Sequence, residues 1–239
     1  MVLKREIVKN WSLSFERKCE VFYPNKVQCL KDLLISLNKT DKKCSIKGSG
    51  MSYNDQIFCN SGIIIDLKNF NKIISINEKK KIIEVQSCCT FKTLLNDIIP
   101  RGFTIGGVAG SDRISIGGAL NNYVHGKDSK HFGSFLNNVV EINVLLTDGT
   151  EKRLTKEQIP SILSFGLFYI ILSIKLKLIP IESRVVKTKR LYFNNMREML
   201  DLMQNNDSYF LYGWMDFFSK TNRGFLEFAD IVKKKNSLN

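Results

Sequence analysis

The feature that most limits what this chain can fold into is a crowd of glycines near its middle. Gly102, Gly106, Gly107, Gly110, Gly117, Gly118, Gly126 and Gly133 all fall between positions 102 and 133. Glycine loses more backbone freedom on folding than any other residue, so regular helix or strand tolerates that density poorly. The spacing predicts a backbone that turns sharply and runs close to a ligand. A second glycine site lies upstream, where Ile46-Lys47 leads into Gly48-Ser49-Gly50. Two glycines free to take positive φ let successive N–H groups converge on one point, a nest suited to phosphate, with the Ser49 and Ser52 hydroxyls as extra donors. An ordinary surface turn has the same composition, and the loop alone does not separate the two. The nicotinamide fingerprint is excluded, because its third glycine falls on Tyr53 and no long helix follows; a P-loop is excluded because no Gly-Lys-Ser/Thr closes it.

Hydrophobic periodicity places these sites between regular elements. Glu20 to Tyr23 reads as a short strand, and Pro24-Asn25 opens a helix with Val27, Leu30, Leu34 and Leu37 on one face. Cys44 to Lys47 and Ile63 to Leu67 read as strands, and Ile73 to Ile76 with Ile82 to Ser87 as a hairpin. Thr90 caps a helix from Phe91 to Ile99, which Pro100 and Gly102 stop. Val139 to Leu146 and Glu151 to Leu154 flank the Asp148-Gly149 turn. The alternation from Ile170 to Leu178 predicts a strand with one face buried and one reaching water. Residues 181–190 are basic and read as a link to a further unit: a strand from Arg190 to Phe193, a helix around Met196 to Met203 and a strand from Tyr209 to Trp214. That last unit reads as unfinished, with an open edge.

Composition removes several function classes. Hydrophobic residues are 44% and charged residues 25% of the chain, ordinary globular usage. The longest uncharged stretch, 158–174, contains Pro160 and falls short of the roughly 20 apolar residues of a membrane-spanning helix. The opening Met-Val-Leu-Lys-Arg-Glu lacks the apolar core of a secretory signal, so a cytoplasmic protein without a transmembrane segment is expected. Cys19, Cys29, Cys44, Cys59, Cys88 and Cys89 form no Cys-x-x-Cys pair, so reduced thiols and no metal site are expected, with adjacent Cys88 and Cys89 pointing to opposite faces. The net charge of +13 comes from scattered lysines; the one tight run, Lys233-Lys234-Lys235, sits beside an end expected to fray. No nucleic-acid-binding motif accompanies the charge, and no nucleic-acid partner is expected.

The glycine-rich middle carries the remaining chemistry. Gly117-Gly118 lets the backbone pass against a flat or charged ligand, with the Ser115 hydroxyl beside it. His125 and Lys127 place a titratable ring and a cation close together in a glycine-flexed segment. A hydrogen-bonded core histidine and a solvated lysine are the structural alternatives for that pair.

Six motifs occur together in a fixed order: Gly48-x-Gly-x-Ser-Tyr-x-Asp55, Ile63-Ile-Ile-Asp-Leu67, Ser115-Ile-Gly-Gly-Ala119, His125-Gly-Lys127, Gly133-Ser-Phe135 and Leu145-Leu-Thr-Asp-Gly149. In that order they resemble the FAD-binding domain of the vanillyl-alcohol oxidase/p-cresol methylhydroxylase (PCMH-type) superfamily, over about residues 10 to 182. Within it, His125-Gly-Lys127 with the following Gly-Ser-Phe is most similar to the oxidases of lipid-linked ribose. The resemblance implies that Ile46, Lys47, Gly48, Ser49, Gly50, Met51, Ser52, Tyr53, Asn54, Asp55 and Gln56 wrap the FAD pyrophosphate. It implies that Gly110, Ser115, Ile116, Gly117 and Gly118 lie along the other side of the cofactor. Asn122, Tyr123, Val124 and His125 would pass the flavin, with His125 and Lys127 as catalytic candidates, and Ile170 would meet the adenine side through its backbone.

Departures from the pattern carry their own expectations. Met51 stands where a histidine sometimes bonds covalently to the flavin, so noncovalent FAD is expected. Asn54 replaces a glycine and is the next best residue for a left-handed turn. Leu163 and Ser164 replace paired glycines before Phe165-Gly166-Leu167, which would reshape the adenine pocket. The family's C-terminal half, with most of the substrate pocket, has no counterpart here.

The expected architecture is α+β, with two subdomains clasping FAD: residues 1–69, a small mixed sheet with a helix, and residues 70–182, a larger, mostly antiparallel sheet with flanking helices. Residues 183–239 would begin an incomplete substrate domain. The expected activity is FAD-dependent oxidation of a CH–OH group on a sugar-like or lipid-linked sugar substrate, with His125 as base. The alternative is a truncated non-catalytic remnant, or a split-enzyme subunit needing a partner chain for the missing half.

Overall fold

The computed structural model describes residues 2–160 and 166–233. The expectations placed on Leu163, Ser164 and Phe165, and on the lysine run beyond Lys233, lie outside the described residues. The chain opens with a hairpin that sequence reading missed on its first side: β1 (Leu3–Lys9) pairs antiparallel with β2 (Glu16–Phe22). Its strands are highly charged because the hairpin lies at the sheet edge, and cross-strand pairs Arg5–Glu20 (3.2 Å) and Lys9–Glu16 (2.7 Å) order that surface. Helix α1 (Val27–Leu37) follows, then the strands β3 (Cys44–Lys47) and β4 (Ile63–Asp66). Both β2 and β3 pair parallel with β4, so the first sheet is mixed, in the order β1-β2-β4-β3. All four residues of β4 are buried, as its unbroken apolar run predicts.

The second layer contains β5 (Ile73–Asn77), β6 (Ile82–Gln86), α2 (Phe91–Ile98), the short β7 (Phe103–Thr104), α3 (Ile116–Asn121), α4 (Ser129–Phe132), β8 (Val139–Leu146), β9 (Glu151–Thr155), β10 (Tyr169–Lys177) and β11 (Ile179–Pro180). The Thr90 side chain caps α2 by accepting from Thr93 N–H at 3.2 Å. The order β5-β6-β10-β8-β9 is antiparallel throughout.

The central strand β10 corrects the expectation of a wet face. Tyr169, Ile171, Ile174 and Leu176 enter one core with α2 and α3, while Ile170 and Leu172 enter a second core with Leu30, Leu33, Leu34 and Leu37 of α1. Of the residues expected to meet water, Ile171 and Ser173 are buried, Lys175 is half-buried and only Lys177 is exposed, so both faces of the strand's first half are covered. Lys31–Glu151 (2.8 Å) and the bond from Asn38 Nδ2 to the Thr147 carbonyl (2.8 Å) tie α1 to this sheet. Burying Ile170 and Leu172 contributes about 1.5–3 kcal/mol each. Cys88 and Cys89 do point apart, Cys88 into the α1 core and Cys89 into the other, though from a turn rather than a strand.

Residues expected to form a basic link begin a third sheet instead. Strand β12 (Val186–Phe193) starts well inside that stretch, and helix α5 (Met196–Gln204), β13 (Phe210–Met215) and an unanticipated β14 (Gly224–Ile231) complete the order β12-β14-β13. The charges of Lys187, Lys189 and Arg190 hid the strand; all three are exposed, in the half of β12 that lies away from buried Phe193. Phe193, Leu226 and Phe228 pack against Met199, Leu202 and Met203. The opposite face carries Tyr192, Tyr212, Trp214 and Phe225, with Trp214 stacked on Phe225 at 6.0 Å. Leu211 N–H donates to the Lys127 carbonyl at 2.7 Å, fastening this sheet to the glycine-rich segment. Among the described residues no helix is long and apolar enough to cross a membrane, and no cluster of His, Cys, Asp or Glu is arranged to hold a metal.

Candidate functional site

Strand β3 ends at Lys47, and the chain turns through Gly48-Ser49-Gly50 at the sheet's edge. Only Gly50 is left-handed (φ +74°); Asn54, expected to take such a turn, does not. Gly48 is required for a different reason: a Cβ there would lie 2.5 Å from Ser115 Oγ. The loop rests on an ion pair, since Lys47 Nζ meets Asp66 Oδ2 at 2.6 Å and Asp66 is only 2% exposed. Lys68 N–H donates to the other carboxylate oxygen at 3.0 Å.

The second glycine segment departs from the expected irregular backbone. Gly117 and Gly118 lie within α3, where helical φ is retained. They are small because of their neighbours: a Cβ on Gly117 would come within 2.9 Å of Ser87 Cβ and 3.0 Å of its carbonyl, and one on Gly118 within 2.9 Å of Ser115 Oγ. Gly117 N–H donates to Ser87 O at 2.7 Å.

The two segments meet. Ser115 N–H donates to Ser49 Oγ at 3.0 Å. Between them opens a cleft of about 360 Å³ lined by Ile46, Gly48, Ser49, Gly50, Met51, Ser52, Tyr53, Asn54 and Gln56 from the first segment and by Ser115, Gly117, Gly118, Asn122 and Val124 from the second. Ile57, Leu67, Ser87, Cys88, Ile114, Asn121, Gly166, Tyr169 and Ile171 also line it and were not anticipated. Tyr169 and Ile171 were within reach of the β10 alternation, which puts them on one face. Ser87 and Cys88 carry no signal, because they sit in the turn between β6 and α2, which is brought to the cleft by bonds to Leu172 and Phe70 far away in sequence.

Eight anticipated residues stand outside the lining. Lys47 is turned to Asp66 beneath the loop, and Asp55 and Gly110 are exposed. Ile116 and Ile170 are core residues, 0% and 3% exposed. Tyr123 is left-handed (φ +48°) and exposed. His125 is exposed and bridges to Ser134, next in sequence to cleft-lining Val124. Lys127 is exposed, with Nζ 4.3 Å from the Tyr212 ring centroid.

Among the described residues no charged side chain lines the cleft. An anion there meets neutral dipoles: among the described residues, the N–H groups of Ser49, Gly50 and Met51 have no protein acceptor. Ser87 Oγ is buried at the wall without a hydrogen-bond partner among the described residues. Burial, with the Asp66 charge behind it, pushes the Cys88 thiol up to about 11, so it stays a neutral packing group. Free donors, an orphaned hydroxyl and walls shaped by absent Cβ atoms, with apolar Ile46, Ile171 and Tyr169 adjoining, fit a ligand with a diphosphate and flat rings.

Comparison with known proteins agrees with this geometry. Residues 20–155 match the FAD binding domain family. The chain is 29% identical over 109 residues to decaprenylphosphoryl-beta-D-ribose oxidase of Mycolicibacterium smegmatis, covering 46% of this chain and 24% of that protein. It is 21% identical over 215 residues to L-gulonolactone oxidase of Mus musculus, covering 86% and 48%. It is 26% identical over 124 residues to L-galactono-1,4-lactone dehydrogenase 2 of Oryza sativa, covering 52% and 21%. The chain thus spans under half the length of these relatives. With more than half of its residues inside the match, and with its two glycine segments facing each other across one cleft, the chain belongs to the FAD binding domain family.

Proposed function

We propose that the chain is the cofactor-holding part of a flavin-dependent oxidoreductase that oxidises a CH–OH group on a sugar-like alcohol, a lipid-linked sugar included. The observation that carries this reading is the junction of the two glycine segments, Ser115 N–H on Ser49 Oγ, in the lining of one cleft. The substrate class rests on the names of the relatives, which act on a ribose lipid and on sugar lactones. Residues 1–69 and 70–182 are the two clasping units, and residues 183–239 begin a substrate-facing one.

In this reading the loop from Gly48 to Gln56 receives the diphosphate on main-chain N–H groups and hydroxyls, and Gly117 and Gly118 lie along the cofactor where any side chain would collide. The apolar walls exclude water. FAD bound there supplies the acceptor for the hydride that leaves the carbinol carbon. His125 takes the hydroxyl proton as the C–H pair departs, leaving a carbonyl product, and Lys127 adds a nearby positive charge. Met51 offers no titratable nucleophile, so FAD is held noncovalently.

Reconstitution tests this directly. The purified chain mixed with FAD and desalted is expected to keep a flavin absorbance band, and acid precipitation is expected to release all of it. A chain that emerges colourless overturns the reading. A second reading, a subunit that binds FAD but turns over only with a partner chain, is favoured by the aromatic face of the third sheet, where Tyr192 and Trp214 are 72% and 55% exposed. Substrate-dependent flavin bleaching by the chain alone decides against it.

A further inference from the structure

The tip of the first hairpin, residues 10–15, lies ahead of the residues that match the family, yet it grips the first glycine loop. Asn10 is 2% exposed. Its Nδ2 donates to Tyr53 O at 2.7 Å and Asn54 O at 3.4 Å, and to Ser12 Oγ at 2.9 Å and Ser14 Oγ at 3.1 Å. Its Oδ1 accepts from Phe15 N–H at 3.1 Å. Ser12 Oγ donates to Tyr53 O at 2.7 Å, and Trp11 N–H donates to Ser52 O at 3.0 Å.

These bonds orient the loop. In a planar trans peptide the N–H points opposite to the preceding C=O. With the Ser52 and Tyr53 carbonyls turned to the hairpin tip, the N–H groups of Tyr53 and Asn54 are turned away from it. Both residues line the cleft, and neither N–H has a protein acceptor among the described residues. We propose that Asn10 is a positioning residue for the diphosphate of the bound dinucleotide, holding the carbonyl side of the loop so that its amide side is presented to the anion. The inference rests on the FAD reading and adds to it a residue that touches no cofactor.

Asn10→Ala in the full chain tests it by flavin titration. The selective readout compares FAD, which carries the diphosphate, with riboflavin, which does not. The expected result is FAD affinity weakened about tenfold, the worth of one misdirected charge-assisted hydrogen bond, with riboflavin affinity unchanged. Unchanged FAD affinity, or equal loss for both flavins, overturns the proposal. If circular dichroism finds Asn10→Ala unfolded, the exposed Ser12→Ala decides: a selective loss of about threefold supports the proposal, and none overturns it. A wild-type chain that takes up no FAD is a different failure, which overturns the reading under Proposed function and this inference with it.

Discussion

The two glycine segments that face each other across the cleft use glycine for different reasons. At Gly50 the reason is conformational, a left-handed turn that amino acids with a side chain reach only at a cost. At Gly117 the backbone is ordinary helix, and the reason is proximity, because Ser87 stands where a side chain would go. Among the described residues the amides of Ser49, Gly50 and Met51 in the first segment have no acceptor, whereas the Gly117 amide is already engaged by Ser87 O. One side of the cleft therefore offers donors and the other offers closeness. A glycine count from sequence merges these two properties.

That contrast can be broken from either side. The largest effect is expected beneath the first segment: Lys47→Met leaves Asp66 as a buried carboxylate without its counter-charge, costing about 3 kcal/mol in urea denaturation. A cost near zero would mean that the loop does not depend on its ion pair. On the opposite side, Gly117→Ala is expected to cost about 1–3 kcal/mol through overpacking against Ser87, with a lower thermal midpoint and weaker FAD uptake. A neutral result would remove proximity as the reason for that glycine.

The junction itself is tested by coupling. Gly48→Ala is expected to cost about 1 kcal/mol by pressing on Ser115 Oγ, and most of the loss should return in the double variant with Ser115→Ala. Additive losses would show the segments to be independent. The smallest effect concerns a third glycine pair. Asp128 Oδ2 accepts from Gly107 N–H at 2.8 Å, and burial raises the carboxyl above its ordinary pKa despite that bond. The folded state then holds the proton more tightly than the unfolded chain, so this group's contribution is full below the ordinary carboxylate pKa and is lost as pH rises through the folded one. Melting profiles of wild type and Asp128→Asn across that range should differ by this slope alone; parallel profiles would refute it.

Much of the architecture was legible because local and global preferences agree. Strands β3 and β8 begin and end at the residues their periodicity predicts, and the apolar face of α1 is the one predicted, although the helix starts at Val27 and not at Pro24-Asn25. The omissions share a cause. Leu3–Lys9 carries four charged residues in seven, and its pattern means strand only once Glu16 and Glu20 are known to lie opposite Lys9 and Arg5. Val186–Phe193 was masked in the same way, because Lys187 and Lys189 share the face of Leu191 and Phe193 but lie at its exposed end. Gly224–Ile231 did carry a legible signal, Leu226 and Phe228 alternating with Glu227, and it went unread. In the site, short motifs located the main-chain segments well but not the residues reaching from elsewhere, because Ser87 and Cys88 enter from the turn after β6 with no motif of their own.

Strand β10 acts as a party wall between two rooms. Tyr169 and Ile171 furnish the ligand-facing room, while Ile170 and Leu172 furnish the one beneath helix α1. Moving the strand along by a single position would exchange the contents of both rooms at once. The break in pairing between Ile171 and Ser173, where β10 runs against β8, marks the place where the register is locally reset. A deletion or insertion in that strand would therefore damage the α1 compartment and the cleft floor together.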